Sequence, residues 1–148
     1  MMLREAVRDD IKRIVEMLDD DALASGREKL GGDLAAYHVA FDAIAADPSN
    51  TLYVWDEDGV AMGCLQLTFI PGMSYQGSWI AQIEGVRVDR AMRGEGIGEE
   101  IMKFVITKSR ESGCKYLQLM TNKRRTDAQR FYERLGFEMS HEGMKLKL

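Results

Sequence analysis

Residues 83–101 read Ile-Glu-Gly-Val-Arg-Val-Asp-Arg-Ala-Met-Arg-Gly-Glu-Gly-Ile-Gly-Glu-Glu-Ile, and they decide the fold prediction. The stretch begins with β-branched residues typical of a strand, and from Ile97 onward apolar residues recur at helical spacing. Between the two patterns lie three glycines, Gly94, Gly96 and Gly98. Glycine lets the backbone approach a ligand closely, and a helix N-terminus carries unpaired amides and the positive end of the helix dipole. The stretch therefore predicts a strand–loop–helix unit that binds phosphate or pyrophosphate.

The spacing of the glycines separates this loop from two other phosphate loops. Counting from Gly94, the third glycine of a dinucleotide-binding fingerprint would fall at Glu99, and the Gly-Lys-Ser/Thr triplet of a Walker loop is absent from the sequence. The pattern that fits is Arg-x-x-Gly-x-Gly over 93–98, after a strand that carries the carboxylate of Glu84. This pattern resembles the acyl-CoA loop of the GNAT superfamily of N-acetyltransferases. Taken alone, it leaves a glycine-rich turn without a ligand as an alternative.

Length and composition restrict the class of protein. A chain of 148 residues with 45% hydrophobic and 30% charged residues predicts one globular domain over 1–148. The net charge of −4 argues against a nucleic-acid partner. We expect no membrane partner and a cytoplasmic location, because no apolar run is long enough to span a bilayer and the N-terminus does not resemble a signal peptide. Two cysteines and two histidines predict neither a disulfide framework nor a metal site, although carboxylates leave metal assistance open.

The rest of the chain predicts alternating strands and helices. In order, we expect a strand over Met2 to Val7, a helix capped by Asp9 or Asp10, a helix capped by Asp33 and stopped at Asp47-Pro48, a hairpin turning at Glu57-Asp58-Gly59, a loop over Met73 to Ser78, a strand from Trp79, a helix ending near Ser112-Gly113, a strand over Tyr116 to Met120 parallel to the Glu84 strand, a helix from about Thr126 to Leu135 and a strand from about Gly143 to Leu148. The acidic run 19–21 is interpreted as a solvated helix end, with a role in substrate charge as the alternative.

A second stretch, 121–137, carries another signature. On a helix, Ala128, Phe131, Tyr132 and Leu135 share one face, which by itself indicates core packing. Its pattern Ala-x-x-Phe-Tyr-x-x-x-Gly-Phe resembles the second signature of the same superfamily and follows the first in the expected order. On both signatures, which lie within residues 79–148, the chain is identified as a member of the GNAT superfamily.

The resemblance implies an α/β fold, a twisted mixed sheet of six or seven strands flanked by about four helices. It implies acetyl-CoA as co-substrate, with pantetheine paired to the backbone of Val86 and Val88 and pyrophosphate held by the amides of 93–98. Glu99 would favour the positive helix end, and Asn122 would contact the cofactor. The residues expected to bind acetyl-CoA are Val86, Arg87, Val88, Arg93, Gly94, Glu95, Gly96, Ile97, Gly98, Glu99 and Asn122.

The implied reaction is direct transfer of an acetyl group to a primary amine. Glu84 is the candidate base, acting directly or through a water, and strand alternation places Gln82 on its face. Some relatives have the acid at the position of Gln82, and a salt bridge is the structural alternative for Glu84. Tyr132 is the candidate acid. Cys64 and Cys114 are interpreted as buried and inert, because no histidine is close in sequence to activate them.

The acceptor is predicted only as a class. The closing stretch is similar to aminoalkylphosphonate N-acetyltransferases, which acylate small amines bearing an anionic group, and Arg27, Lys29 or Arg124 could meet such an anion. Other small amines, amino acids, polyamines, and a protein lysine or N-terminus remain alternatives. A non-catalytic acyl-CoA-binding regulatory module is the alternative from another class. A homodimer is a further expectation from the resemblance.

Overall fold

The computed structural model describes residues 2–20, 26–28 and 31–148 and shows a mixed α/β fold. Two 3-10 turns, Arg8–Asp10 and Arg90–Met92, precede the first helix and the glycine loop. The strands and helices are β1 (Met2–Glu5), α1 (Ile11–Asp19), α2 (Ala35–Ala46), β2 (Asn50–Glu57), β3 (Val60–Ile70), α3 (Ser74–Gly77), β4 (Ile80–Val88), α4 (Ile97–Glu111), β5 (Tyr116–Leu119) and α5 (Thr126–Arg134).

One sheet carries the strands in the order β1-β2-β3-β4-β5. The first four strands are antiparallel to their neighbours. β5 runs parallel to β4, because Lys115 N donates to Trp79 O at 2.8 Å and, three residues further along both strands, Gln118 bonds Gln82. The parallel pairing that the connecting helix predicted is therefore confirmed.

The hairpin between β2 and β3 turns where the sequence predicted. Asp58 and Gly59 both have positive φ, 50° and 85°, as a two-residue turn that matches the twist of its strands requires. The turn fixes the register of β3, which in turn places the side chains of β3 opposite those of β4.

Helices pack on both faces of this sheet. On one face, α1 buries Ile14 and Met17 against Val54 and Cys64. On the other face, α4 buries Ile97, Ile101 and Val105 at the helical spacing that the sequence predicted, together with Met102. Phe104, also at that spacing, is exposed, and its ring meets that of Tyr53 edge-on at 5.2 Å between centroids. The two faces of the sheet therefore belong to different helices, α1 and α4.

The expected helix cap near Asp10 has a different function in the structure. The side chain of Asp10 caps no amide of α1. It is buried, accepts from the Val7 amide at 2.8 Å and pairs with Arg4, whose guanidinium also reaches Asp56. Burial alone would raise the pKa of Asp10, but the hydrogen bonds from Arg4 and Val7 lower it below its usual range. Asp10 therefore ties β1 to the start of α1.

Two predicted elements differ from the structure. The closing strand over 143–148 is wrong, since these residues form no strand and Met144, Leu146 and Leu148 are exposed. In the described part of the chain the sheet has five strands, fewer than the six or seven that the resemblance implied. The alternation of apolar and basic residues predicted a strand there, but pairing needs a partner that alternation does not supply. The predicted loop over 73–78 contains the single turn α3, in which Tyr75 and Gln76 have positive φ.

The chain divides into two compact units, Met1–Gln118 and Leu119–Leu148, and each is treated by itself below. Asp21 of the acidic run and Lys29, one of the predicted anion contacts, lie outside the described residues. Within the described ranges, no helix has the length and apolar character needed to cross a lipid bilayer.

Candidate functional site

A β-bulge in β4 lies beside the predicted base. Gln66 pairs with Glu84 and Cys64 pairs with Arg87, so two steps along β3 correspond to three along β4. The extra residue lies at Gly85–Val86, and Gly85 has a φ of 62°, the conformation that glycine supplies in such bulges. The bulge shifts which residues face α1, from Gln82 and Glu84 before it to Arg87 after it.

A chain of amide hydrogen bonds orients Glu84. Gln82 donates from Nε2 to Oε1 of Glu84 at 2.7 Å, and Gln118 donates from Nε2 to Oε1 of Gln82 at 2.9 Å. The shared face that alternation predicted for Gln82 and Glu84 is therefore confirmed. The salt-bridge alternative for Glu84 finds no support among the described residues, where none of the ion pairs includes it.

Glu84 lines a cavity of about 210 Å³ between α1 and the sheet. The residues around this cavity are Ile14, Leu18, Leu52, Cys64, Gln66, Glu84 and Gly85. Its walls are mostly apolar, and its polar groups are the amide of Gln66 and the carboxylate of Glu84. Such a cavity can enclose an aliphatic amine and present one carboxylate to its nitrogen.

The glycine loop adopts the conformation that its residues predicted. Gly94 and Gly96 have φ of 84° and 82°, and Gly96 precedes α4 in the left-handed region without a side-chain cap. A Cβ placed on either glycine would meet no atom within 4 Å, so the loop leaves room beside its backbone. The first amides of α4, from Ile97 to Glu99, have no carbonyl of their own helix to bond and can donate to an anion.

Two arginines of the loop region pair with the end of α1. Arg90 donates to Asp20 Oδ1 at 2.5 Å, and Arg93 lies 3.6 Å from Asp20 Oδ2 and 3.3 Å from the Asp20 carbonyl oxygen. The acidic run is therefore more than a solvated helix end. One of its carboxylates sits between two cations at the predicted pyrophosphate site.

The backbone carbonyls predicted to pair with pantetheine accept hydrogen bonds from arginines. Arg87 Nη1 donates to Val86 O at 2.9 Å, and Arg93 Nε donates to Val88 O at 3.1 Å. β5 is four residues long and lies beside the start of β4, where Lys115 bonds Trp79. A strand-like ligand added at the end of β4 near Val88 would therefore have to share these carbonyls with the two arginines or displace them.

The remaining loop residues have structural contacts. Ile97 is buried, Glu95 and Glu99 are exposed, and Lys103 lies 3.1 Å from the carboxylates of both Glu99 and Glu100. The acids in the first turn of α4 match the expected interaction with the helix dipole.

The two predicted residues of the second signature lie in the second unit. Asn122 Oδ1 accepts from the Arg124 amide at 2.9 Å, which forms a turn before α5. The ring of Tyr132 meets Phe131 and Phe137 edge-on at 5.2 and 5.7 Å. Asn122 and Tyr132 thus belong to one unit, and Glu84 and the glycine loop belong to the other.

The prediction of a buried thiol is confirmed for Cys64 and wrong for Cys114. Cys64 is buried, its Sγ donates to Gly85 O at 3.6 Å, and burial raises the pKa of its thiol to about 12. Cys114 is half-buried, and burial raises the pKa of its thiol as well. In the ranges that the structure describes, histidine, cysteine and acidic side chains form no cluster suited to a metal ion.

Sequence reasoning missed Asn50, Gln66 and Asp20. Asn50 accepts hydrogen bonds from Gln66 at 3.0 Å and Thr68 at 3.1 Å. These side chains share a face only through strand register, and the Asp20–Arg90 pair spans 70 residues of sequence. The hairpin turn was the one signal in the sequence that could have placed Asn50 opposite Thr68.

Comparison with known proteins identifies a family. Residues 11–137 match the sequence model of the acetyltransferase (GNAT) family. The chain is 30% identical to the aminoalkylphosphonate N-acetyltransferase of Salmonella typhimurium over 109 residues, 74% of this chain and 70% of that protein. It is 31% identical to the glucosamine 6-phosphate N-acetyltransferase of Trypanosoma brucei brucei over 90 residues, 61% of this chain and 59% of that protein.

A solved structure resembles the whole chain. The crystal structure of a transcriptional regulator from Bacillus halodurans C-125 superposes with a TM-score of 0.94 at 44% identity. The match covers 99% of each chain. The fold class predicted from sequence is confirmed.

Proposed function

Because the chain belongs to the acetyltransferase (GNAT) family, we propose that it transfers the acetyl group of acetyl-CoA directly to the primary amine of a small molecule, with residues 1–148 as one N-acetyltransferase domain. One observation carries this proposal. The carboxylate of Glu84 lines a mostly apolar cavity on the same strand that leads into the glycine loop.

The loop is suited to the pyrophosphate of acetyl-CoA. The amides at the start of α4, the open space beside Gly94 and Gly96, and the guanidinium of Arg93 together offer donors and positive charge. Arg87, Glu95, Ile97 and the rest of 93–99 would lie along this part of the molecule. The backbone of Val86 and Val88 would bind the pantetheine arm as an added strand does, and Asn122 would give a further polar contact.

Acetyl-CoA supplies a thioester whose carbonyl carbon accepts the amine. An alkylamine has a pKa near that of lysine, about 10.4, and must lose a proton before it attacks. We assign that proton to Glu84, directly or through a water, with Gln82 and Gln118 holding the carboxylate in position. As the C–N bond forms and the C–S bond breaks, the thiolate of CoA takes a proton, which we assign to the hydroxyl of Tyr132. The second proton that the nitrogen loses restores the Tyr132 hydroxyl, and Glu84 releases its proton to solvent.

Calorimetric titration with acetyl-CoA tests the proposal, with NADH and ATP as controls. We expect acetyl-CoA alone to bind, and Gly96→Asp to abolish binding because it adds a negative charge to the loop. Release of free CoA thiol in the presence of an amine panel then tests transfer. Absence of acetyl-CoA binding would overturn the assignment of the loop.

A second candidate is a regulatory module that binds acyl-CoA without turnover. The observation that favours it is the description of the Bacillus halodurans protein as a transcriptional regulator. The two candidates differ in one measurement, because a module would bind acetyl-CoA and release no thiol with any amine. The presence of Glu84 in the cavity and of Tyr132 in the second signature favours the enzyme, since binding alone requires neither a base nor an acid.

A further inference from the structure

We propose that the amine acceptor carries neutral hydrogen-bonding groups, hydroxyl or amide, and no phosphate or phosphonate. The observation is a row of neutral polar side chains beside Glu84, here called the amide floor, made of Asn50, Gln66, Thr68, Gln82 and Gln118. This inference rests on the proposed function, because it takes the Glu84 cavity as the place where the acceptor binds.

Strand register places the amide floor on one face of the sheet. Asn50 pairs with Thr68 across β2 and β3. Thr68 pairs with Gln82, and Gln66 pairs with Glu84, across β3 and β4. Directly opposite residues of antiparallel strands project to the same face. Gln66 is the floor residue that lines the cavity, and from there the floor extends along the same face to β2 on one side and, through Gln82, to Gln118 on β5 on the other.

Hydrogen bonds within the floor leave donors and acceptors available. Gln66 Nε2 and Thr68 Oγ1 both donate to Asn50 Oδ1, and the Gln118–Gln82–Glu84 chain satisfies one oxygen of Glu84. Within the described part of the chain, Gln66 Oε1 accepts no hydrogen bond and Asn50 Nδ2 donates none. Asn50 and Gln66 thus hold each other in place, and each keeps one polar atom for a ligand, an acceptor on Gln66 and a donor on Asn50. Hydroxyl and amide groups of a ligand can bond both, because they donate and accept hydrogen bonds.

The charge of the cavity opposes an anionic acceptor. Of its lining residues, Glu84 carries a negative charge and the buried Cys64 thiol stays protonated below a pKa of about 12. No lysine or arginine is among the described residues that line it. A cationic amine is therefore attracted to the cavity, whereas a phosphonate would be repelled by the carboxylate of Glu84, with no cation among the described lining residues to offset the repulsion.

Two guanidiniums lie on the same side of the sheet, outside the set of residues that line the cavity. Arg13 and Arg87 both act to lower the pKa of the Cys64 thiol, against the larger effect of burial. Arg13 is paired with Asp89 and Glu16. Arg87 donates to the Val86 carbonyl oxygen. Neither arginine lines the cavity.

One of the three cations that the sequence offered for an anion is already paired. Arg27 is exposed and pairs with Glu28 at 3.0 Å. Arg124 lies in the second unit, and Lys29 lies outside the described residues. The named substrates of the two curated relatives carry a phosphonate or a phosphate. On the evidence of the amide floor, the acceptor of this chain therefore differs from the acceptors of those relatives in carrying neutral groups in place of a phosphonate or phosphate.

Matched acceptor pairs test the inference on the full chain with acetyl-CoA. The pairs are glucosamine with glucosamine 6-phosphate, and 2-aminoethanol with 2-aminoethylphosphonate. We expect kcat/KM to be at least about tenfold higher for the neutral member of each pair. A preference for the phosphorylated or phosphonylated member would overturn this inference and leave the proposed function intact. Failure of every amine to release CoA thiol would overturn both.

Substitutions in the floor give a second test. Gln66→Met keeps the length of the side chain and removes its amide, and we expect kcat/KM for the neutral acceptor to fall about threefold to tenfold with an unchanged acetyl-CoA Kd. Thr68→Val, which is nearly isosteric, should also lower kcat/KM for the neutral acceptor. It provides the test if Gln66→Met does not fold. Thr107→Val on the exposed part of α4 is the control. Unchanged kcat/KM in both floor variants would overturn the inference.

Discussion

Arg93 and Asp20 are 73 residues apart in sequence, yet the guanidinium of Arg93 lies 3.6 Å from the carboxylate of Asp20 and 3.3 Å from its backbone carbonyl oxygen. The pair joins the end of α1, beside the acceptor cavity, to the glycine loop. Arg90 pairs with the same carboxylate. One acid thus offsets two positive charges where a pyrophosphate would need them.

Removing this acid should strengthen binding of acetyl-CoA. In Asp20→Asn, the two arginines keep their charge and lose a competing carboxylate, and we expect Kd to fall about twofold to fivefold, since exposed ion pairs contribute up to about 1 kcal/mol. Calorimetry at two salt concentrations measures the effect, which should shrink as salt rises. The control is Asp42→Asn on α2, which removes the carboxylate that pairs with Arg8 and should leave Kd for acetyl-CoA unchanged. A weaker affinity in Asp20→Asn would show that Asp20 positions the arginines instead.

The glycine before α4 should matter for both stability and binding. Gly96→Ala places a Cβ at a φ of 82°, which costs about 1 kcal/mol of folding free energy, and it alters the backbone that presents the helix amides. Gly113→Ala imposes a similar strain, at a φ of 75°, beyond the other end of the same helix. We expect urea denaturation to show similar losses in both variants, with acetyl-CoA affinity reduced in Gly96→Ala alone. Equal acetyl-CoA affinities in Gly96→Ala and Gly113→Ala would show that the glycine loop does not bind acetyl-CoA.

The function of Glu84 should appear in the pH dependence. In Glu84→Gln, we expect kcat/KM for an alkylamine to fall about a hundredfold at pH 7, the range of a general base. The difference should narrow as pH rises toward the amine pKa of about 10.4, because free amine then needs no base. Glu111→Gln at the end of α4 is the control. A loss that is constant across this pH range would indicate a structural role.

The thiol beside the bulge should take no part in transfer. Burial raises the pKa of Cys64 to about 12, so the thiol stays protonated at neutral pH and is a poor nucleophile. We expect Cys64→Ala to keep kcat within about threefold, since loss of a covalent nucleophile costs far more. Mass spectrometry of the intact protein after mixing with acetyl-CoA should show no acetylated Cys64. An acetyl-enzyme on this residue would contradict direct transfer.

The buried ion pair at the N-terminus should make stability depend on acid pH. Because hydrogen bonds from Arg4 and Val7 lower the pKa of Asp10, its contribution is full above the unfolded pKa of about 3.9 and is lost as pH falls through the lower folded pKa. We expect Asp10→Asn to cost about 2 kcal/mol at pH 7, since it leaves Arg4 with one carboxylate fewer. The exposed neighbour variant Asp9→Asn is the control. In urea denaturation, the cost of Asp10→Asn should diminish at acid pH.

What the sequence predicted depended on local chemistry. The hairpin at Asp58-Gly59 and the loop around Gly96 were predictable because each needs positive φ at a glycine that the pattern supplies. The shared face of Gln82 and Glu84 followed from the period of a strand. The site residues themselves, including the acid Tyr132 and the contacts to acetyl-CoA, stay predictions.

What the sequence did not predict depended on distance along the chain. Asp20 and Arg90 approach through the fold, and no local pattern in 19–21 distinguishes a solvated acid from a paired one. The amide floor needs the registers of two strand pairs at once. The alternation in 143–148 predicted a strand that the structure does not contain, because alternation describes one strand and says nothing of its partner.

Because of the extra residue at Gly85–Val86, different positions of β4 face α1 before and after the bulge. Upstream, even-numbered side chains point toward α1, and downstream of the bulge Arg87 takes that direction. In a strand of fixed period, residues three positions apart project to opposite faces. With its phase shifted once, β4 carries the acid of Glu84 and the guanidinium of Arg87 on the same face. A Cβ added to Gly85 would lie 3.4 Å from the side chain of Leu18 on α1. A substitution at Gly85 would therefore affect β4 both before and after the bulge.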